Sequence, residues 1–166
     1  MATVGIYIPQ DSKLPIYRDR YNGIGDYRRA VHGLVDTIAL DTPQMMLIVN
    51  TGWRYPRSAI NERATQLVWL HNPLLRMQAL IGGDVVLVGP PTEDDEIEDV
   101  PEDFARFILS KKTYEVEHRT VGGLNWPVHR RSFDDYFSAA IYSVDLIWTA
   151  RQPTETRIIA GTEATS

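Results

Sequence analysis

The 166-residue sequence contains no cysteine. This absence excludes disulfide bonds, thiolate metal sites and cysteine nucleophiles, and it is typical of a reducing cytoplasm. The sequence also lacks any apolar run near the roughly 20 residues that span a bilayer. Its first residues have neither the basic nor the apolar region of a signal peptide. We therefore expect a cytoplasmic protein of globular composition with no membrane partner.

A large excess of one charge is absent as well. The net charge of −5 argues mildly against general nucleic-acid binding. Residues 92–103 hold 8 of the 22 acids and no lysine or arginine. Within this run, residues 92–99 are expected to be a solvated loop, and the functional alternative for the run is an acidic patch that docks a basic partner. The 14 arginines against 3 lysines reflect either genome composition or recognition of phosphate and carboxylate by arginine.

The sequence lacks the motifs typical of nucleotide-binding, serine-nucleophile and metal sites. No phosphate-binding glycine motif surrounds Gly82-Gly83-Asp84, and no serine has a G-x-S-x-G setting. The four histidines have no metal-ligand spacing; they are His32, His71, His118 and His129. We expect no metal, no cofactor and no catalytic residue, and the sequence favours a protein that is not an enzyme.

Hydrophobic periodicity predicts a single α+β domain with a mixed or antiparallel sheet and about three packed helices. Strands are predicted at Thr3–Pro9, Leu14–Tyr21, Leu34–Leu40, Met45–Val49, Val85–Val88, Thr113–Arg119 and Thr156–Ala160. Helices are predicted at Tyr27–His32, with Asp26 as cap and Gly33 as left-handed terminator, then after Asn61, after Pro101 and at Tyr136–Ala150. The character changes after Ser110, which suggests an α+β part at 1–110. Residues 111–166 form an extension of strand, long helix and tail, expected to pack on the same domain.

Four short motifs occur in a fixed order in residues 4–109. They are Ala30-Val-His-Gly33, Val49-Asn-Thr-Gly52, Asn61-Glu-Arg-Ala-Thr65 and Gly83-Asp-Val-Val-Leu-Val-Gly89. Together they resemble an uncharacterised small domain family of actinobacterial phages and mobile elements. The first motif departs from the family's usual Val-Gly-Gly, and Thr51 stands where that family often has an acid. The resemblance implies a phage or mobile-element origin, an α+β fold and action in the host cytoplasm, and it implies no known activity.

Asn61 and Arg63 form the first candidate binding pair. A helix N-terminus beside an arginine can bind an anion, and Arg54 and Arg57 in the preceding loop would add positive potential. The structural alternative is that Asn61 caps the helix and Arg63 is solvated. Gly83 and Asp84 also have a functional and a structural interpretation. A glycine before a strand can let a phosphate approach the backbone, or it can simply form a turn.

Aromatic residues in predicted loops give the second candidate surface. Trp53, Tyr55 and Trp126 are of the residue types that dominate protein interfaces, as is Arg54. Alternatively, these rings fold back over the core.

Three functions remain open from the sequence. The first is an accessory protein that binds a host or phage macromolecule without catalysis. The second is a protein that binds or sequesters a small anionic ligand or nucleotide. The third is a virion or assembly component whose residues 111–166 mediate contacts in a homo-oligomer.

Overall fold

The computed structural model describes residues 2–55, 59–110, 112–126 and 130–161. The chain forms two compact units, Met1–Leu109 and Ser110–Ser166. The described residues contain four helices and eight strands, and all strand pairs are antiparallel. The predicted α+β class is confirmed. The strands are divided between two sheets, a five-stranded and a three-stranded one, where the sequence predicted one.

The first unit is built on a five-stranded sheet with the order β2-β1-β5-β4-β3. Its strands are β1 (Thr3–Ile8), β2 (Tyr17–Tyr21), β3 (Val35–Leu40), β4 (Met45–Asn50) and β5 (Val85–Val88). The central strand β5 is buried at every position. A continuous apolar run predicts such a strand, because a strand covered on both faces has no polar side.

Three helices accompany this sheet: α1 (Ile24–Ala30), α2 (Glu62–His71) and α3 (Glu102–Ile108). Tyr27 of α1 packs with Val86 and Val88 in a buried cluster on one face of the sheet. Alternation along the strands sends Ile6 and Ile8 to the other face, where both are fully buried. The rings of His71 and Phe104 meet edge to face at 5.7 Å, which links α2 to α3.

The prediction for α1 was wrong at both ends. The helix begins at Ile24 after Gly23, whose backbone provides the boundary without a side-chain cap, so Asp26 lies in the first turn. The left-handed residue after the helix is His32, with φ of 59°, where the sequence suggested Gly33. Gly33 is needed for space instead, since a Cβ there would lie 2.5 Å from Nδ2 of Asn50.

The second unit contains a sheet of order β7-β6-β8 and one long helix. Its elements are β6 (Tyr114–Thr120), β7 (Arg131–Phe133), α4 (Tyr136–Thr149) and β8 (Thr154–Ala160). Tyr136 of α4 contacts Tyr114 of β6 edge to face at 5.8 Å between ring centroids, so α4 covers the face that carries Tyr114 and Val116. Among the described residues, no helix is long and apolar enough to cross a bilayer.

Candidate functional site

The topology of the five-stranded sheet gathers several predicted site residues at one end. β5 is antiparallel to both β1 and β4, so the start of β5 lies beside the last residues of its two neighbours. Gln10 follows β1, Asn50 ends β4, and Asp84 immediately precedes β5. The end of α1 brings His32 to the same place.

These segments enclose a cleft of about 620 Å³, within the range of small-molecule sites. Four of the predicted binding residues line it: Trp53, Tyr55, Gly83 and Asp84. The other lining residues are Gln10, Val31, His32, Asn50, Gly52 and Gly82. We call this feature the sheet-end cleft.

Asp84 is the centre of the hydrogen bonding in the sheet-end cleft. Its Oδ1 accepts the backbone N–H of Gln10 at 2.7 Å. Its Oδ2 lies 2.6 Å from the donating hydroxyl of Tyr7 and 2.9 Å from Nε2 of His32. Partial burial raises the pKa of Asp84, but the hydrogen bonds to the carboxylate outweigh it and leave the pKa below its ordinary value. The cleft therefore contains a fixed negative charge.

His32 is held in a left-handed conformation by Asn50. The Asn50 amide donates to the carbonyls of Val31 at 3.1 Å and His32 at 3.3 Å, and its oxygen accepts the N–H of Gly52 at 2.8 Å. The His32 side chain is 71% exposed although Nε2 is bonded to Asp84. This arrangement orients an accessible imidazole and leaves its other nitrogen, Nδ1, for a ligand or solvent.

The aromatic loop after β4 divides into a buried and an exposed part. Trp53 is only 3% exposed, and its indole N–H donates to Oδ2 of Asp36 at 3.1 Å. Asp36 alternates along β3 with the buried Ile38 and Leu40, and this bond gives its carboxylate a partner there. Tyr55 is 85% exposed. The guanidinium of Arg54 lies 4.9 Å from the centroid of the Trp53 ring. Trp53 is thus a core residue that forms one wall of the cleft, and Tyr55 offers the free ring.

The anion site predicted at Asn61 and Arg63 is not formed by the structure. Asn61 is fully buried, caps α2 through the N–H of Ala64 at 3.0 Å, and donates to the carbonyls of Ile8 and Gly83. Arg63 donates to the backbone carbonyls of Pro9 and Asp11. The structural alternative accounts for Asn61, because no ligand reaches a side chain with no exposed surface. Arg57 lies outside the described residues.

Gly83 has the geometry of a turn. Its φ of 81° is the left-handed conformation that glycine adopts without strain, and its carbonyl accepts from Asn61. The positive φ of the turn therefore accounts for a glycine at this position, and Gly83 lines the cleft because the turn lies there.

Trp126 belongs to the second unit, on the face of its sheet opposite α4. The guanidinium groups of Arg119 and Arg157 lie 4.2 and 4.4 Å from the centroid of its ring. Arg157 also binds Glu117, whose side chain is 1% exposed and also bonds Arg130. The hydrogen bond from Arg157 is the largest of the effects that hold the pKa of Glu117 below its usual value. The half-buried Trp126 thus completes a cation–π and ion-pair cluster.

Within the described parts of the chain, no three acidic or histidine side chains are grouped to hold a metal ion. His129, one of the four histidines considered above, lies outside those parts. The sequence missed His32, Asn50 and Gln10 as members of the cleft, and Tyr7 as a hydrogen-bond partner of Asp84. Only the pairing of β5 with both neighbours brings them to Asp84, and that pairing has no local sequence signal.

Comparisons with known protein families, curated proteins and solved structures return no match to this chain. The resemblance to the phage domain family, and with it the phage origin, stays a prediction that depends on the four motifs.

Proposed function

We propose that this chain is a non-enzymatic binding protein. Its sheet-end cleft takes a positively charged, hydrogen-bond-donating side chain of a protein partner. The observation that supports this most directly is the Asp84 carboxylate, held ionised by three hydrogen bonds at the wall of a 620 Å³ cleft. The exposed ring of Tyr55 adds a surface that attracts cations.

The charges around the cleft favour a cationic over an anionic ligand. Asp84 is the only carboxylate among the lining residues described. An anion 4 Å from it would be repelled by about 1 kcal/mol in water and about 4 kcal/mol at a partly buried site. Of the arginines that suggested an anion site, Arg63 is bound to backbone carbonyls and Arg54 lies over Trp53.

The acidic run is too far from the cleft to determine affinity. It follows β5, so it begins at the opposite end of that strand from Asp84. Four residues of strand span about 13 Å, which exceeds the Debye length of about 8 Å at physiological salt. Residues 1–109 hold 15 of the 22 acids and 10 of the 17 bases. This excess steers a basic partner toward the unit, and the cleft provides the specific contact.

Thermal unfolding with small cationic probes tests the proposal. Arginine amide and lysine amide represent the partner's side chain, and AMP and a cyclic dinucleotide represent the anionic alternative. A probe at ten times its Kd stabilises the protein by about 1.4 kcal/mol. At this chain length that raises Tm by about 3 to 6 °C. We expect the cationic probes to raise Tm and the anionic probes to have no effect.

Two variants and one control assign that effect to the cleft. Asp84→Asn removes the charge, and Tyr55→Ala removes the exposed ring; both should reduce the shift. Asp94→Asn makes the same change of net charge in the exposed acidic run and should keep the full shift. A Tm raised by AMP and not by arginine amide would contradict the proposal and restore the anionic ligand.

General-base chemistry at His32 is a second candidate. It is favoured by one observation, the 2.9 Å contact of Asp84 Oδ2 with Nε2, which orients the ring as a carboxylate orients a catalytic histidine. A general base contributes about 10²- to 10⁴-fold to a rate. Chromogenic esters and phosphodiesters test it: turnover by the natural chain that His32→Ala abolishes would support catalysis, and turnover unchanged in that variant would exclude His32.

A further inference from the structure

The outer edge of β8 presents backbone groups that no described part of the chain pairs. In the three-stranded sheet β8 lies at one edge, and among the described residues only β6 pairs with it. The N–H of Gly161 donates to Thr113, and that of Val121 donates to Pro153. In an antiparallel pair, every second residue of a strand directs its N–H and C=O toward the partner strand. The register of β6 with β8 and these two bonds show that residues 155, 157 and 159 are the ones directed toward β6. The N–H and C=O groups of Thr154, Thr156 and Ile158 therefore point outward.

The sequence of β8 suits pairing with a second copy of itself. If two β8 strands pair antiparallel about a two-fold axis at Thr156, Glu155 of each copy lies opposite Arg157 of the other. Centring the axis on Arg157 would place two like charges together, and centring it on Ile158 would place Arg157 opposite Ile159. Opposite charges across strands stabilise a pair and like charges destabilise it. Charge therefore selects the axis at Thr156.

Helix α4 has exposed apolar surface that the same contact would bury. Its fourteen residues contain one charged side chain, Asp145, and a helix that is apolar around most of its circumference is normally buried. Ile141 is half-buried and Trp148 is 57% exposed, seven residues further along the same helix face.

The two-fold axis would bring these helices to packing distance. The axis is normal to the joined sheet, so both α4 helices lie on one side of it. α4 lies over β8 and β6, and strands are about 4.8 Å apart. Two such helices would be separated by about 10 Å, the spacing at which helices pack.

We propose that two copies of this chain form a dimer by pairing β8 antiparallel about Thr156, which makes a continuous six-stranded sheet with both α4 helices on one face. The occupant of this edge is a second copy of the chain. The dimer is independent of the sheet-end cleft, which lies wholly in the other unit.

The absence of cysteine makes the register directly measurable. In the proposed pair, Thr156 faces itself with Cα atoms about 5.5 Å apart, a distance that a disulfide spans. Under mild oxidation, Thr156→Cys should yield a covalent dimer. Thr154→Cys, which would face Ile158, should yield only the background of random collision. Equal cross-linking of both variants would contradict this register.

Light scattering of the natural chain gives the second measurement. We expect twice the chain mass of 18.9 kDa. Thr156→Pro should return it to the monomer, because proline lacks the N–H that crosses the axis. The change is compatible with the monomer fold, since that N–H faces outward. Thr156→Ser is the matched control and should remain a dimer. A monomeric natural chain at all concentrations, without preferential cross-linking of Thr156→Cys, would overturn the proposal.

Discussion

Asn61 connects three segments of the first unit through one buried amide. Its oxygen caps α2, and its nitrogen donates to the carbonyls of Ile8 at 3.0 Å and Gly83 at 2.9 Å. Asn61→Ala removes a cap worth about 1 kcal/mol. It also leaves two carbonyls without this donor, at about 1 kcal/mol or more each. We expect a loss of about 3 kcal/mol in the free energy of unfolding, measured by urea denaturation.

Asn61→Ser separates the two contributions. Serine keeps an oxygen for the cap but is too short to donate to both carbonyls, so we expect an intermediate loss. If Asn61→Ala costs no more than an ordinary helix cap, the link between α2 and the strand ends contributes nothing to stability.

Asp84 makes the free energy of unfolding of the first unit depend on pH in the acid range. Its hydrogen bonds lower its pKa in the folded chain below the ordinary value of 3.8. The unfolded chain then binds the proton more readily, so stability rises with pH in this window and is lost as pH falls through the folded pKa. We expect urea denaturation to show a smaller loss of stability in Asp84→Asn than in the natural chain as pH falls from 5 to about 2.

Asp94→Asn provides the comparison, because Asp94 lies in the exposed acidic run. Its acid dependence should follow that of the natural chain. The interpretation of Asp84 would be wrong if both variants lost stability in parallel.

Residue-level prediction succeeded where the signal was local. Asn61 has the sequence of a helix cap, and it caps a helix. Tyr55 and Asp84 were named as separate candidates, and the structure brings both to the sheet-end cleft. His32 was not recognised, because its role depends on Asn50 and Asp84, which reach it only through the strand pairing. The aromatic loop likewise could not be divided into a buried Trp53 and an exposed Tyr55 from composition.

At the scale of elements, α4 begins at a side-chain cap, as α2 does. Oδ1 of Asp135 accepts the N–H of Ser138 at 2.9 Å, whereas α1 and α3 begin without a side-chain cap bond. Asp135→Ala should reduce the stability of the second unit by about 1 kcal/mol. Thermal unfolding followed by circular dichroism measures this loss. Asp134→Ala, at the exposed residue beside it, should have little effect, and an equal loss in both would argue against a cap.

Periodicity predicted most elements, and the failures have physical causes. β5 and α4 are found because their patterns extend over a whole element. β7 was missed because Arg131–Phe133 is three residues long and forms only by pairing with β6. The start of α1 was missed because the left-handed backbone of Gly23 marks it without a capping side chain. The division into two sheets is a long-range property that alternation within one strand does not encode.

At the scale of the whole molecule, each sheet is complete within its own unit. Strands β1 to β5 lie in Met1–Leu109 and β6 to β8 in Ser110–Ser166. The first unit has a buried core of its own that includes Ile6, Leu47 and Leu87. A length near 110 residues is within the range of independently folding domains.

We therefore expect a chain of residues 1–109 to fold alone and keep the sheet-end cleft. Its tryptophans are Trp53 and Trp69, and Trp53 is 3% exposed, so fluorescence emission should be blue-shifted and should move to the red on unfolding. Urea should unfold it in one cooperative transition, with a slope about two-thirds that of the full chain because the slope follows the surface exposed. Leu47→Asp, which buries a charge in the core, is the unfolded control. A fragment with the emission of that control would show that residues 110–166 are required for the first unit to fold, and the cleft would then have to be studied in the full chain.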